Sequence, residues 1–160
     1  MNILVVYDSM YGNTKEIAKA IAGGFGKSDT VKLVQAREAK LSDLQSLDLL
    51  VVGSPTQGGR ATSSVYDFFT DIPQNGLSGV GVAAFDTRFE PELQGKALRL
   101  VMGILGYAAT KIGNSLTQKG GRLVVPPEGF IVRGKEGPLK EGELKRAATW
   151  AAALRTNKRV

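Results

Sequence analysis

The stretch Asn2-Ile3-Leu4-Val5-Val6-Tyr7-Asp8-Ser9-Met10-Tyr11-Gly12-Asn13-Thr14-Lys15-Glu16-Ile17 decides how the chain folds. Its first six residues are nearly all apolar, the mark of a strand covered on both faces. The spacing then changes. Ile17, Ile21 and Phe25 recur at i, i+4 and i+8, one face of a helix, and Gly23, Gly24 and Gly26 punctuate its end. Between strand and helix lies a polar turn. Asn13 is placed to cap the helix, with Glu16 three residues on to close a capping box. A helix N-terminus there aims free N–H groups and a positive dipole end into the turn. Those amides, with the Ser9 and Thr14 hydroxyls, suit a phosphate without any cationic side chain.

The same alternation runs outward from this stretch. Thr30–Gln35 alternates apolar and polar residues, as an exposed edge strand does, and Leu47–Gly53 is a second continuous apolar run. Val65, Phe68, Phe69 and Ile72 mark a helical face stopped by Pro73, and Gly79–Phe85 reads as a fourth strand. Leu98, Val101, Met102 and Leu105, then Ala108, Ala109 and Ile112, are helically spaced, with Gly103 and Gly106 dividing them into two helices. Leu123–Val125 and Phe130–Val132 read as one strand interrupted by Pro126-Pro127-Glu128-Gly129, which assigns it to an edge or a bulge. A last helix turns Leu144, Ala147, Ala148, Ala151 and Leu154 inward. Five strands alternating with about five helices predict an α/β three-layer sandwich. It has a five-stranded parallel sheet, helices on both faces and right-handed crossovers, in a single domain over residues 1–160.

Composition narrows the chemistry. The 160 residues contain no Cys and no His, which removes disulfides, thiolate and imidazole chemistry and thiolate metal sites. No metal ligand set is expected. No apolar run is long enough to span a bilayer, and no basic leader precedes the first strand, so a cytoplasmic location is expected. The net charge is +6, and the excess is local: residues 111–160 hold eleven Lys/Arg against four Asp/Glu. That is a solvated face or a docking surface for an acidic partner. Basic runs interleaved with aromatics are missing, so nucleic acid is not expected as a partner.

In parallel sheets ligands bind beyond the C-terminal ends of the strands. The loops after strands one, three and four are therefore the candidates. The second is Gly53-Ser54-Pro55-Thr56-Gln57-Gly58-Gly59-Arg60, where apolar residues stop abruptly and paired glycines admit close backbone approach and easy peptide turns. The third is Asp86-Thr87-Arg88-Phe89-Glu90-Pro91, an aromatic ring beside polar groups. Other nucleotide motifs fail. Gly26-Lys27-Ser28 mimics the end of a P-loop, but Ile21 stands where its first Gly belongs and the segment closes a helix. Gly12 is alone after strand one, which excludes the dinucleotide fingerprint. A receiver domain would cluster acids there and end strand three in Asp; Asp8 is single and the strand ends in Gly53.

At these three loops the chain resembles the flavodoxin family. The family's phosphate loop reads Ser/Thr-x-Thr-Gly-x-Thr; here Ser9-Met10-Tyr11-Gly12-Asn13-Thr14 stands in its place, with Tyr11 for the middle Thr. The resemblance runs over essentially the whole chain, the interrupted fifth strand included. It implies strand order 2-1-3-4-5 and a tightly but non-covalently bound FMN. Ser9, Met10, Tyr11, Gly12, Asn13 and Thr14 would hold its 5′-phosphate. Pro55, Thr56, Gln57, Gly58 and Gly59 would line one side of the isoalloxazine ring, and Asp86, Thr87, Arg88 and Phe89 the other. In the family a carbonyl of the second loop turns to accept a hydrogen bond from flavin N5–H, and the Gly58–Gly59 peptide stands at that position.

The function so implied is electron transfer between redox partners, with no catalytic acid–base residue. The alternative is an FMN-dependent oxidoreductase of the same group, of quinone reductase or protoporphyrinogen oxidase type. The chain also departs from the family. Its second loop has no aromatic, its one Trp, Trp150, lies on the last helix, and Phe89 is the sole stacking candidate. Flavodoxins are commonly acidic and this chain is basic. Arg60 or Arg88 near the ring would make the second reduction potential less negative, and the basic C-terminal face would receive an acidic redox partner. The oligomeric state is left open.

Overall fold

The computed structural model describes residues 1–90 and 95–158, with the side chains of 98, 105 and 158 excepted. Pro91 of the third loop and the Leu98 side chain therefore lie outside the described residues. The elements run β1 (Asn2–Tyr7), α1 (Asn13–Gly23), β2 (Thr30–Gln35), two 3₁₀ turns (Ala36–Glu38 and Leu41–Leu44), β3 (Leu49–Pro55), α2 (Ser63–Asp71), β4 (Gly81–Phe89), α3 (Lys96–Leu105), α4 (Ala108–Gln118), β5 (Arg122–Leu123), β6 (Glu128–Val132) and α5 (Glu143–Lys158).

All pairings between these strands are parallel, in the order β2-β1-β3-β4-β5, with β6 also on β4. β5 and β6 are the two halves of the expected interrupted strand. Arg122 and Leu123 pair with Gly81 and Val82, and Glu128–Val132 with Phe85–Phe89. The period of two in each strand divides the core. Ile3, Val5, Leu49, Val51, Ala83 and Phe85 face α1 and α5. Leu4, Val6, Leu50, Val52, Val82 and Ala84 face α2 and α4. Both faces are apolar because both are covered, which is why these strands read as continuous rather than alternating runs.

Phe85, Phe130 and Trp150 meet edge to face, with centroids 6.0, 6.3 and 6.1 Å apart, and pin α5 to β4 and β6. Such pairs are worth about 0.5–1.5 kcal/mol each beyond their burial. Trp150 is thus a core residue. No helix among the described residues is long and apolar enough to cross a membrane.

The structure departs from the sequence reading in several places: β3 is Leu49–Pro55 and not Leu47–Gly53, β4 starts at Gly81 and not Gly79, and the halves of the last strand are Arg122–Leu123 and Glu128–Val132 and not Leu123–Val125 and Phe130–Val132. β4 runs to Phe89, so Asp86–Phe89 is strand and not loop; its partners, β3 on one side and β6 on the other, are remote in sequence. The helical stretch breaks at Gly106 alone, where φ is 73°, while Gly103 stays inside α3. Leu144 is exposed, and its neighbour Glu143 is buried instead, accepting bonds from the Ile131 N–H (2.6 Å) and the Arg146 guanidinium (2.6 Å).

Candidate functional site

β1, β3 and β4 end side by side, and their C-terminal extensions surround a cavity of about 460 Å³. It is lined by Ser9, Met10, Tyr11, Asn13 and Thr14 from the first loop, Pro55, Thr56, Gln57 and Gly58 from the second, and Thr87, Arg88 and Phe89 from β4. The size is ordinary for a small-molecule site. Of the residues singled out in the sequence, Gly12, Gly59 and Asp86 are not in this lining. Val132 and Lys135 are, and sequence reasoning missed both.

The first loop is held open by its own polar groups. Ser9 N–H donates to Asp8 Oδ1 (2.9 Å), and Ser9 Oγ accepts the Gly12 N–H (3.0 Å). α1 begins with the bond from Glu16 N–H to Gly12 O (3.0 Å), so the amides of residues 13–15 have no helical acceptor. No side chain caps them. The expected Asn13–Glu16 capping box does not form: the N-cap is Gly12 at φ 93°, and Asn13 Nδ2 donates instead to Glu136 O (3.1 Å). The reason lies far along the chain. Residues 132–139 form a hairpin, closed by Arg133 N–H to Pro138 O (2.9 Å), which rests on the first loop. That hairpin brings Lys135 to the cavity.

Thr14 is buried, and its Oγ1 lies 2.8 Å from Thr87 Oγ1. One hydroxyl proton serves that bond; the other remains to be donated. The start of α1 therefore gives the cavity a donor-rich end, the Asn13 and Thr14 amides with the Ser9 and Thr14/Thr87 hydroxyls, and Lys135 is also in the lining. Met10, Pro55, Phe89 and Val132 make the rest a largely apolar slot. The Gln57 amide contacts Met10 Sδ across the mouth.

The second loop is a tight hairpin turn. Gln57 and Arg60 exchange both backbone bonds (2.9 and 3.0 Å), around Gly58 at φ 54° and Gly59 at φ 75°. Two consecutive positive φ values are the signature of a type I′ turn and explain the paired glycines. Part of this loop's polarity serves the helices. Ser54 Oγ accepts the Thr62 N–H ahead of α2 (3.0 Å), and Thr56 Oγ1 accepts the Ala108 N–H at the start of α4 (3.0 Å).

Asp86 is fully buried and performs the same service, Oδ2 accepting the Ala109 N–H (2.8 Å). It also takes two bonds from Arg88, at 2.6 and 2.8 Å. The guanidinium lies 3.7 Å from the Tyr107 ring centre, and a Cβ at Gly129 would sit 2.3 Å from it. Arg88 is thus clamped and neutralised, and Arg60 does not reach the lining. Arg88 therefore reaches the cavity already paired with Asp86, and Lys135 is a second cation in the lining. Among the described residues no cluster of acids gathers to hold a metal ion.

Comparison with known proteins agrees with this geometry. A family model described as Flavodoxin matches residues 5–150. A flavodoxin of Picosynechococcus is 34% identical over 80 residues, covering 49% of this chain and 47% of that protein. An NAD(P)H dehydrogenase (quinone) of Caulobacter vibrioides is 35% identical over 88 residues, covering 42% and 44%. The match thus spans under half the length of these curated relatives. Among solved structures, a flavodoxin from the domain Archaea superposes with a TM-score of 0.75 at 21% identity, covering 100% of both chains.

Proposed function

The chain belongs to the flavodoxin family, whose cofactor is FMN, and from that premise we propose that it is an electron carrier working between redox partners in the cytoplasm. The carrying observation is the two-ended cavity. Its donor-rich end matches a phosphate dianion and its apolar slot matches a planar ring, so the residues present fit FMN. Bound FMN supplies the redox chemistry. The chain's own residues do the rest.

The Asn13 and Thr14 amides and the Ser9, Thr14 and Thr87 hydroxyls hold the headgroup, with Lys135 balancing its charge. Phe89, Met10, Pro55 and Val132 exclude water from the ring. The Gly58–Gly59 peptide, in a turn that only glycine adopts cheaply, offers a backbone group that can reorient toward the ring. Arg88, neutralised by Asp86, shapes the wall without adding net charge.

The C-terminal basic surface proposed to receive an acidic partner is divided in the fold. Arg155 bonds Asp29 (2.7 Å), Arg146 bonds Glu143 and Glu128, and Lys140 pairs with Glu90. Arg133 and Lys135 are exposed on the hairpin over the cavity, and they are the part of the C-terminal basic surface that would draw an acidic partner toward it.

The test is the absorption spectrum of the purified chain, with the released compound identified. A yellow protein that yields FMN supports the reading, and a colourless one indifferent to added FMN refutes it. A second reading, FMN-dependent reduction of a quinone, draws on the likeness to the quinone dehydrogenase and on the absence of an aromatic from the second loop. Sustained turnover of NAD(P)H with a quinone would select it over the carrier.

A further inference from the structure

The helix α3 carries an apolar stripe on the wrong side. Among its described side chains only Met102 is buried. Leu100, Val101 and Ile104 are 69%, 44% and 78% exposed, and Ala97 is exposed as well. Positions 97, 100, 101 and 104 are spaced i, i+3, i+4 and i+7, the pattern of a helix face meant to be covered. Nothing among the described residues covers it. Single exposed apolar residues need no explanation, but a contiguous stripe of this kind marks an interaction surface.

Charge says what covers it. Lys96 and Arg99 lie along one side of the stripe, both exposed. Residues 93–127, which include α3 and α4, hold five Lys/Arg and no Asp or Glu. An apolar centre with a cationic rim fits a partner of the opposite pattern. A second copy would bring an identical acid-free strip and a further +6 of charge, which opposes that pairing. A lipid surface fits less well, because the stripe is only about two turns long and two cations lie along one side of it. The junction after α3 meets two residues of the cavity wall, Tyr107 stacking on Arg88 and the Ala108 N–H bonding Thr56 Oγ1, so α3 ends beside the cavity.

We propose that the exposed face of α3 is the docking surface for an acidic electron-transfer protein, with Leu100, Val101 and Ile104 as its contact core and Lys96 and Arg99 as its rim. This names the partner class for the carrier reading and rests on it.

The probe is a plant-type [2Fe–2S] ferredoxin, a strongly acidic redox protein, titrated in its oxidised form into the isotope-labelled chain with and without FMN. Amide shifts are expected over Lys96–Leu105 and at the cavity mouth, and added salt should remove them. L100S/I104S and K96E/R99E should each weaken binding about ten-fold or more. Their FMN affinity and unfolding midpoint should stay at the wild-type level, because these side chains are exposed.

Shifts confined to another face, or variants that bind ferredoxin as the parent does, overturn the proposal. So does a wild-type dimer in sedimentation that L100S/I104S dissolves, which assigns the stripe to a second copy. Flotation with phosphatidylglycerol vesicles that L100S/I104S abolishes assigns it to lipid, with the same consequence. Failure to bind FMN would end the carrier reading alone, since the shifts on α3 are read on the apo chain as well.

Discussion

Thr14 Oγ1 and Thr87 Oγ1 meet at 2.8 Å across 73 residues of chain, joining the first turn of α1 to the end of β4. The bond fixes the strand end against the helix N-terminus and uses one of the two hydroxyl protons. The first loop and the end of β4 are therefore a single structure, although the sequence shows each only as a separate turn.

T14A removes the hydroxyl nearest the unpaired amides. FMN affinity should fall by about 1.5–3 kcal/mol, roughly ten- to a hundred-fold, the usual worth of a hydrogen bond to a charged group. T87V leaves Thr14 able to donate, so its loss should be several-fold smaller. Quenching of flavin fluorescence on titration measures both. Equal losses in the two variants would contradict the ordering.

Lys135 should sense the phosphate and not the ring. K135Q is expected to weaken FMN about ten-fold, or about 1.4 kcal/mol, and to leave riboflavin affinity unchanged. The salt dependence of FMN binding should flatten in the same variant. Parallel loss of both ligands would instead place Lys135 at the ring.

Asp86 and Arg88 should be unequal partners in a stability measurement. D86N strips the buried charge that Arg88 and the Ala109 N–H depend on, and breaking such a pair costs about 3–5 kcal/mol. G129A should cost less but act through the same clamp, since its methyl would displace the guanidinium from Tyr107. Urea unfolding of the apo chain reads both, and a neutral D86N would show the clamp to be incidental.

Stability should fall with acid through Glu143. Burial alone would raise its pKa, but the hydrogen bonds from Arg146 and from the Ile131 N–H, with the charges of Arg146 and Lys140, outweigh burial and hold it below the usual glutamate value. A folded value below the unfolded one means that the unfolded chain takes up the proton first. The contribution is complete above the ordinary glutamate range and disappears as pH drops through the folded value. E143Q should be less stable than the parent at neutral pH and approach it at low pH, in urea midpoints taken across that range.

The errors of the sequence reading have a common form. Asp86–Phe89 looked like a loop because polar residues in a strand signal its end; here Asp86 is satisfied by Arg88 and by α4, so the strand continues. Asn13 looked like a cap because Asn before a helix with Glu three residues on is a local rule; the Glu136 carbonyl, 123 residues away, draws its amide elsewhere. The signal for Lys135 was weak. Gly134-Lys135-Glu136-Gly137-Pro138 between Val132 and Leu139 announces a tight turn, but nothing in it says that the turn lands on the first loop.

The order of residues was enough to set the alternation of strands and helices, the burial of both sheet faces and the gathering of polar segments at one sheet end. These follow from periodicity and composition within a dozen residues. Tertiary structure alone decided which donor meets which acceptor. Only it set Thr14 on Thr87, Arg88 between Tyr107 and Gly129, Lys135 over the cavity and the apolar stripe of α3 in solvent. Such partners come together through the register of β4 with β3 and β6, and a register set by remote strands leaves no trace in the local spacing of residues.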